Sequence, residues 1–137
     1  MVTEKSLQRI RKEIIDCNRD RRYKLQAYAF LLNGLEYYRT RVGERRHFTG
    51  QELTRGLVEF AQLQFGPLAH EVLTAWGVKK SDDFGHITYN LIDIHLIRRQ
   101  PSDRLEDFFD IVDFKQYFSS QDSYDIDKEY IKSIKGS

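Results

Sequence analysis

One cysteine, Cys17, occurs in 137 residues. No internal disulfide can form, and such cysteine usage fits a reducing compartment. Two prolines and eight glycines are too few for a collagen-like or low-complexity chain. No apolar run approaches the ~18 residues of a membrane-spanning helix. The opening MVTEKSLQRIRKE lacks the apolar centre of a signal peptide, so a cytoplasmic protein without a membrane partner is expected. Charge of one sign is also lacking, since the net charge is only +1. What is present is 40% hydrophobic and 31% charged residues, the composition of a single globular domain with one core rather than a disordered chain.

The small net charge conceals a division. Residues 1–55 carry 13 Lys/Arg against 7 Asp/Glu, and residues 56–137 carry 9 against 14. Segregated charge either steers a charged partner or makes the two halves attract each other.

Helical periodicity dominates the first hundred residues. Thr3 is placed to cap a helix running to about Cys17, with Leu7, Ile10, Ile14 and Cys17 on one face. Asp20 is placed to cap a second helix over residues 21–40, with Leu25, Tyr28, Ala29, Leu32 and Leu35 as its buried stripe. Gly34 inside that helix costs about 1 kcal/mol relative to alanine, which suggests a closely packed neighbour. Thr49-Gly50-Gln51-Glu52 reads as a capping box, and Phe48 is positioned to staple onto Leu53. Pro67 opens a short helix over residues 67–76 presenting Leu68, Val72, Ala75 and Trp76, and Gly77 suits a left-handed residue after it. Ser81 would cap a further helix through Phe84, Ile87, Leu91, Ile94 and His95.

The pattern then changes. Residues 107–114, Asp-Phe-Phe-Asp-Ile-Val-Asp-Phe, are aromatic and β-branched with imperfect alternation, and with residues 96–99 they predict a two-stranded hairpin. The expected fold is therefore α+β: a single, predominantly helical domain over residues 1–118 with a small C-terminal β-hairpin. Residues 1–45 form its helical part and residues 46–118 a winged-helix-like part. A turn of helix is expected over residues 115–118. Residues 119–137 read as a polar tail or a short helix carrying Ile126, Tyr130 and Ile134.

Several strings occur together: Ala27-Tyr28-Ala29-Phe30, His47-Phe48-Thr49-Gly50-Gln51-Glu52-Leu53, Phe65-Gly66, Trp76-Gly77, Asp83-Phe84-Gly85, Asp107-Phe108 and Asp113-Phe114. In this order the sequence from Tyr23 to about Phe118 resembles a family of small uncharacterised proteins found mainly in Planctomycetes and Verrucomicrobia. The resemblance implies a bacterial, non-secreted protein and carries no activity, cofactor or catalytic residue. Gly34 and the tail beyond Phe118 depart from it.

His47, beside Gln51 and Glu52 at a helix start, could serve as a general base next to an anion-binding helix terminus; its plainer reading is a residue of the turn entering a capped helix. His86 with Asp82 and Asp83 could begin a metal site but lacks further ligands. His70-Glu71 lacks the second histidine of a zinc-protease motif. His95 falls on an apolar stripe and reads as a buried or half-buried structural residue, and Cys17 as a small hydrophobe. No catalytic residue, metal ligand or cofactor is assigned.

In a winged helix, residues 82–97 would be the recognition helix. Its exposed positions, Asp82, Asp83, His86, Asn90 and Asp93, carry the wrong charge for phosphates. The reading therefore favours a non-enzymatic protein-interaction or regulatory module whose partner is another protein. Its candidate interaction residues are Arg41, Arg45, Arg46, His47, Arg98 and Arg99. Nucleic-acid contact through a basic N-terminal face is the alternative, and a small hydrolase built on His47 and Glu52 is a third reading.

Overall fold

The structure, a computed structural model, describes residues 2–43 and 47–123, with side chains to residue 119. The first helix, α1 (Glu4–Ile10), starts at Thr3, whose hydroxyl accepts the Ser6 N–H while the Ser6 hydroxyl accepts the Thr3 N–H. A π-helical turn follows over Arg11–Ile15. Its wider turn keeps Ile10 and Ile14 buried but rotates the next positions away from the core. Cys17 is consequently exposed rather than the last member of an apolar face.

Helix α2 (Leu25–Val42) begins at Lys24, several residues after the expected start. Asp20 is occupied elsewhere. Its carboxylate accepts the Arg22 backbone N–H at 3.1 Å, the Arg22 guanidinium at 2.8 and 2.9 Å, and the Asn90 amide at 2.9 Å. The loop before α2 is thus a tertiary latch, and the Lys24 N–H donates to the Trp76 carbonyl.

Helix α3 (Gly50–Phe65) shows the capping box as read: the Thr49 hydroxyl accepts the Glu52 N–H, and the Glu52 carboxylate accepts the Thr49 N–H. Helices α2 and α3 cross closely because Gly34 faces the Leu57 side chain and Gly56 faces the Tyr38 ring, where a Cβ would lie 2.4 and 2.6 Å from them.

A 3₁₀ turn at Gly66–Leu68 leads into α4 (Ala69–Ala75). Its buried face is Ala69 and Leu73, while Leu68 is exposed. The expected stripe is displaced by one residue because the first turn is 3₁₀ rather than α. Gly77 adopts a left-handed φ of 96°. It ends α4 as a Schellman turn, with the Val78 N–H donating to the Leu73 carbonyl.

Helix α5 (Ser81–Asp93) is the central element. Phe84, Ile87 and Leu91 are fully buried, and Ser81, Gly85 and Thr88 are buried with them. It ends at His95, which takes a left-handed φ of 65° and is exposed, not buried or half-buried as the apolar stripe suggested. Residues 94–104 then run without regular structure to a 3₁₀ turn at Leu105–Phe108, and α6 (Phe114–Ser123) closes the described chain.

No strand occurs among the described residues, which overturns the α+β reading: the fold is helical. The hairpin fails for a specific reason. The N–H groups of Asp110 and Ile111 are taken by side chains at the start of α5, donating to the Asp82 carboxylate and the Ser81 hydroxyl at 3.1 Å. The remaining N–H groups of Asp107 and Phe109 close short turns onto Arg104 and Glu106. Four successive or near-successive donors that a strand ladder would need are thus already spent.

Phe108 replaces the hairpin as the anchor. It is buried between two glycines on different helices, Gly50 of α3 and Gly85 of α5, where added Cβ atoms would stand 2.9 and 2.8 Å from Phe108 side-chain atoms. The winged-helix reading falls with the hairpin, and α5 is too enclosed to enter a groove. Of its expected exposed positions only Asp93 is exposed. Asp83 accepts the Tyr23 hydroxyl and the N–H groups of Lys79 and Lys80, and Asn90 donates to Asp20 and to the Tyr28 hydroxyl.

One apolar cluster joins α1 through α6, from Ile10 to Phe118. Phe30 on α2 is a hub, with ring centroids 5.3 Å from Phe60, 6.0 Å from Phe65, 5.9 Å from Trp76 and 6.3 Å from Phe84. The expected helix at residues 115–118 is present within the longer α6, and Ile126, Tyr130 and Ile134 lie outside the described residues. No helix among the described residues is long and apolar enough to cross a membrane.

Candidate functional site

The loop after α5 does not pack flush against the helices. Between it, the middle of α2, the start of α3 and the second half of α5 lies a cleft of about 350 Å³, within the size range of small-molecule sites. Leu32, Leu53, Ile92, Leu96 and Phe108 supply its apolar wall, and the polar part of its lining is nearly as extensive. Each is there for a local reason: Leu32 belongs to the α2 stripe, Leu53 follows the α3 cap, and Phe108 is held in its glycine slot.

Polar groups ring the mouth. His47 precedes the α3 cap, and its Nε2–H donates to the Asp103 carboxylate at 2.7 Å. Asp103 also accepts the Gln100 N–H at 2.7 Å, and the Arg99 guanidinium donates to the Asp103 carbonyl at 2.9 Å. The His47–Asp103 contact therefore ties the α3 entrance to the 96–104 loop. Arg39, Arg98 and Arg104 also line the cleft.

Thr88, on the cleft side of α5, is 6% exposed, and its hydroxyl has no hydrogen-bond partner among the described residues. A buried hydroxyl without a partner costs about 1–3 kcal/mol. Thr54 and Gln62, which do not line the cleft, also carry a buried side-chain oxygen without a partner among the described residues, so what distinguishes Thr88 is its place at the cleft.

The sequence candidates divide. His47 and Arg98 meet at the cleft. Arg99 sits just behind it, its guanidinium 5.8 Å from the centre of the Tyr89 ring. Arg41 is elsewhere: it pairs at 2.9 Å with Glu59, which also accepts the Tyr37 hydroxyl, beside a shallow groove lined by Tyr37 and Phe60. Arg45 and Arg46 lie outside the described residues. The basic N-terminal residues are partly neutralised, Arg9 by Glu13, Arg19 by Asp93, Arg22 by Asp20 and Arg39 by Glu36.

Glu52, the proposed companion of His47, is committed to the α3 cap. His86 lies beside the Phe109 ring, while Asp82 binds the Asp110 N–H. No cluster of three metal-ligating side chains occurs among the described residues. His70 stacks on Phe118, which makes it part of the α4–α6 contact rather than bare surface.

Behind the cleft, the latch on Asp20 fixes α5. Burial alone would raise the Asp20 carboxyl, but hydrogen bonds from Arg22 and Asn90 overcome this and hold it at about 2. Burial pushes the Tyr28 phenol up to about 12, and it pushes Tyr23 up too, reinforced by its bond to Asp83.

No protein-family model matches the chain, and no curated protein or solved structure is significantly similar to it. The site must be read from its own geometry. Sequence reasoning missed Thr88 and the pairing of Asp103 with His47. A threonine on a mostly apolar helix face, four residues after Phe84, was the available signal for the first. The second spans 56 residues and left none.

Proposed function

We propose that the chain is a non-enzymatic regulatory module that takes a small ligand in the cleft between α2, α3, α5 and the 94–108 loop. A partner protein reads occupancy from that same loop, which forms the outer wall of the cleft. The observation that carries this reading is the Thr88 hydroxyl, buried without a partner among the described residues in a cleft of about 350 Å³ whose lining is both apolar and polar. A group retained there at a cost to stability is explained by a ligand that satisfies it. Membership of the planctomycetal and verrucomicrobial family, on the strings around His47–Leu53 and Asp107-Phe108, is part of the proposal and adds no site residue.

The test is a chemically mixed fragment library added to the isotope-labelled full chain, followed by NMR. Fragments should shift the amides of Thr88, Ile92 and Leu96 and be recovered unchanged. Fragments that shift only residues elsewhere would overturn the reading.

One observation favours a second reading, a hydrolase. His47 stands at the mouth of a real cleft with Asp103 on its Nε2–H, an arrangement able to hold an imidazole for proton transfer. That reading predicts turnover of an ester fragment, lost on His47→Ala without loss of fold. Nucleic-acid binding has less support, because Arg41 is engaged by Glu59. It predicts affinity that falls steeply with salt and is abolished when Arg41, Arg45 and Arg46 become Glu.

A further inference from the structure

We propose, resting on the reading of the cleft as the working site, that its ligand is an amphipathic organic anion: an apolar alkyl or aryl body ending in one carboxylate.

The walls decide the body. Leu32, Leu53, Ile92, Leu96, Ile97 and Phe108 offer no hydrogen bonds from their side chains, so a polar body would lose its water without compensation. The mouth decides the head. Arg39, Arg98 and Arg104 line the cleft together with Asp103 and Asp107, and what matters is which of these charges is already paired.

The acids are already engaged. Asp103 accepts from His47 and from the Gln100 N–H, and Asp107 accepts the Arg104 N–H at 3.2 Å with the Arg104 guanidinium 4.0 Å away. Arg39 has Glu36 at 3.8 Å. Arg98 differs: it is exposed, and no hydrogen bond or ion pair ties it to another described residue. A carboxylate arriving there gains a guanidinium that no described acid holds, and the planar fork suits two parallel hydrogen bonds. A cation would meet three arginines and two carboxylates that already have donors. One head rather than two follows from there being one such guanidinium, Arg98, since Arg39 and Arg104 have Glu36 and Asp107 beside them. The Thr88 hydroxyl, farther in, has room to serve an oxygen or ring edge of the body.

Octanoate, octan-1-ol and octylammonium present one apolar body with three heads, and they are the probes. The full chain, isotope-labelled, is titrated with each at fixed salt and neutral pH. Octanoate should shift the amides of Thr88, Ile92 and Leu96 saturably, with a dissociation constant on the order of 10⁻⁴ M. Octylammonium should bind at least about tenfold more weakly. Arg98→Gln, at an exposed position where folding is not at risk, should weaken octanoate about fivefold or more and leave octan-1-ol unchanged.

Equal binding of octan-1-ol and octanoate, or an octanoate affinity indifferent to Arg98→Gln, would overturn the proposal while leaving the cleft as the site. Preferential binding of octylammonium would do the same. Octanoate shifts confined to residues outside the cleft would overturn the proposal and count against the cleft as well.

Discussion

Replacing Gly85 by alanine sets two effects of opposite sign against each other. Gly85 lies inside α5, where alanine is favoured by about 1 kcal/mol on helix propensity alone. If nothing lay against it, the variant would be more stable by that amount. The structure places Phe108 there instead. A Cβ on residue 85 would lie 2.8 Å from Phe108 Cβ, 2.9 Å from Cγ and 3.0 Å from Cδ1. The nearest of these is bonded to the backbone, so relief requires the 105–108 turn to lift off α5 or the helix to retreat. Overpacking of this kind costs about 1–3 kcal/mol.

The net expectation is a loss of about 1 kcal/mol, read as a lower urea midpoint at unchanged slope and a melting temperature lower by about 3 °C. In a Phe108→Ala background the turn is no longer anchored by its ring, and Gly85→Ala should cost less, a coupling of about 1 kcal/mol. A Gly85→Ala protein as stable as the parent, or more so, would refute the seating of Phe108 between the two helices. With it would go the account of why residues 105–114 form a turn and not a strand.

Three further outcomes follow from named contacts. Asp20 is held at about 2 against an ordinary value of 3.8, so its stabilisation is complete above pH 4 or so and is lost as the pH falls toward about 2. Asp20→Asn should therefore cost about 1–2 kcal/mol at neutral pH, discounted for the half-exposed Arg22 side chain, and flatten the acid limb of stability measured by urea melts from pH 7 to pH 2. An acid limb identical to that of the parent would exclude the latch. Thr88→Val keeps the shape and removes the unpartnered hydroxyl, so it should stabilise the free protein by about 1 kcal/mol; a destabilised variant would mean the hydroxyl is satisfied. Thr49→Ala removes the acceptor at the α3 cap and should cost about 1 kcal/mol by thermal melt, whereas no change would mean that Glu52 alone holds that terminus.

Local signals were legible in the sequence where the structure uses them locally. The cap at Thr3, the capping box at Thr49, the left-handed Gly77 and the close approach at Gly34 were read from the sequence, and each is found. Asp20 failed as a cap because Arg22 and the distant Asn90 together occupy its carboxylate. The pattern at residues 107–114 failed more completely. Alternating aromatic and β-branched residues satisfy a strand and also satisfy a turn whose Phe108 and Phe114 are buried against helices. The choice was made by Ser81 and Asp82, nearly thirty residues away, which take the N–H groups a strand would need. The cleft was half legible. His47 and Arg98 were candidates from their charge and position, but the loop that brings them together is long-range, and the hydroxyl of Thr88 looks like any other in the sequence.

The central claim, a ligand site between α2, α3, α5 and the 94–108 loop, is tested most directly by a crystal structure of the full chain soaked with the fragments that shift its amides. The account predicts an intact fragment bounded by Leu53, Ile92, Leu96 and Phe108, with a polar atom within hydrogen-bonding reach of the Thr88 hydroxyl. Fragments bound only elsewhere, in the groove beside Tyr37 and Phe60 or on the exposed Leu63 and Leu68, with the cleft closed by its own side chains, would contradict it.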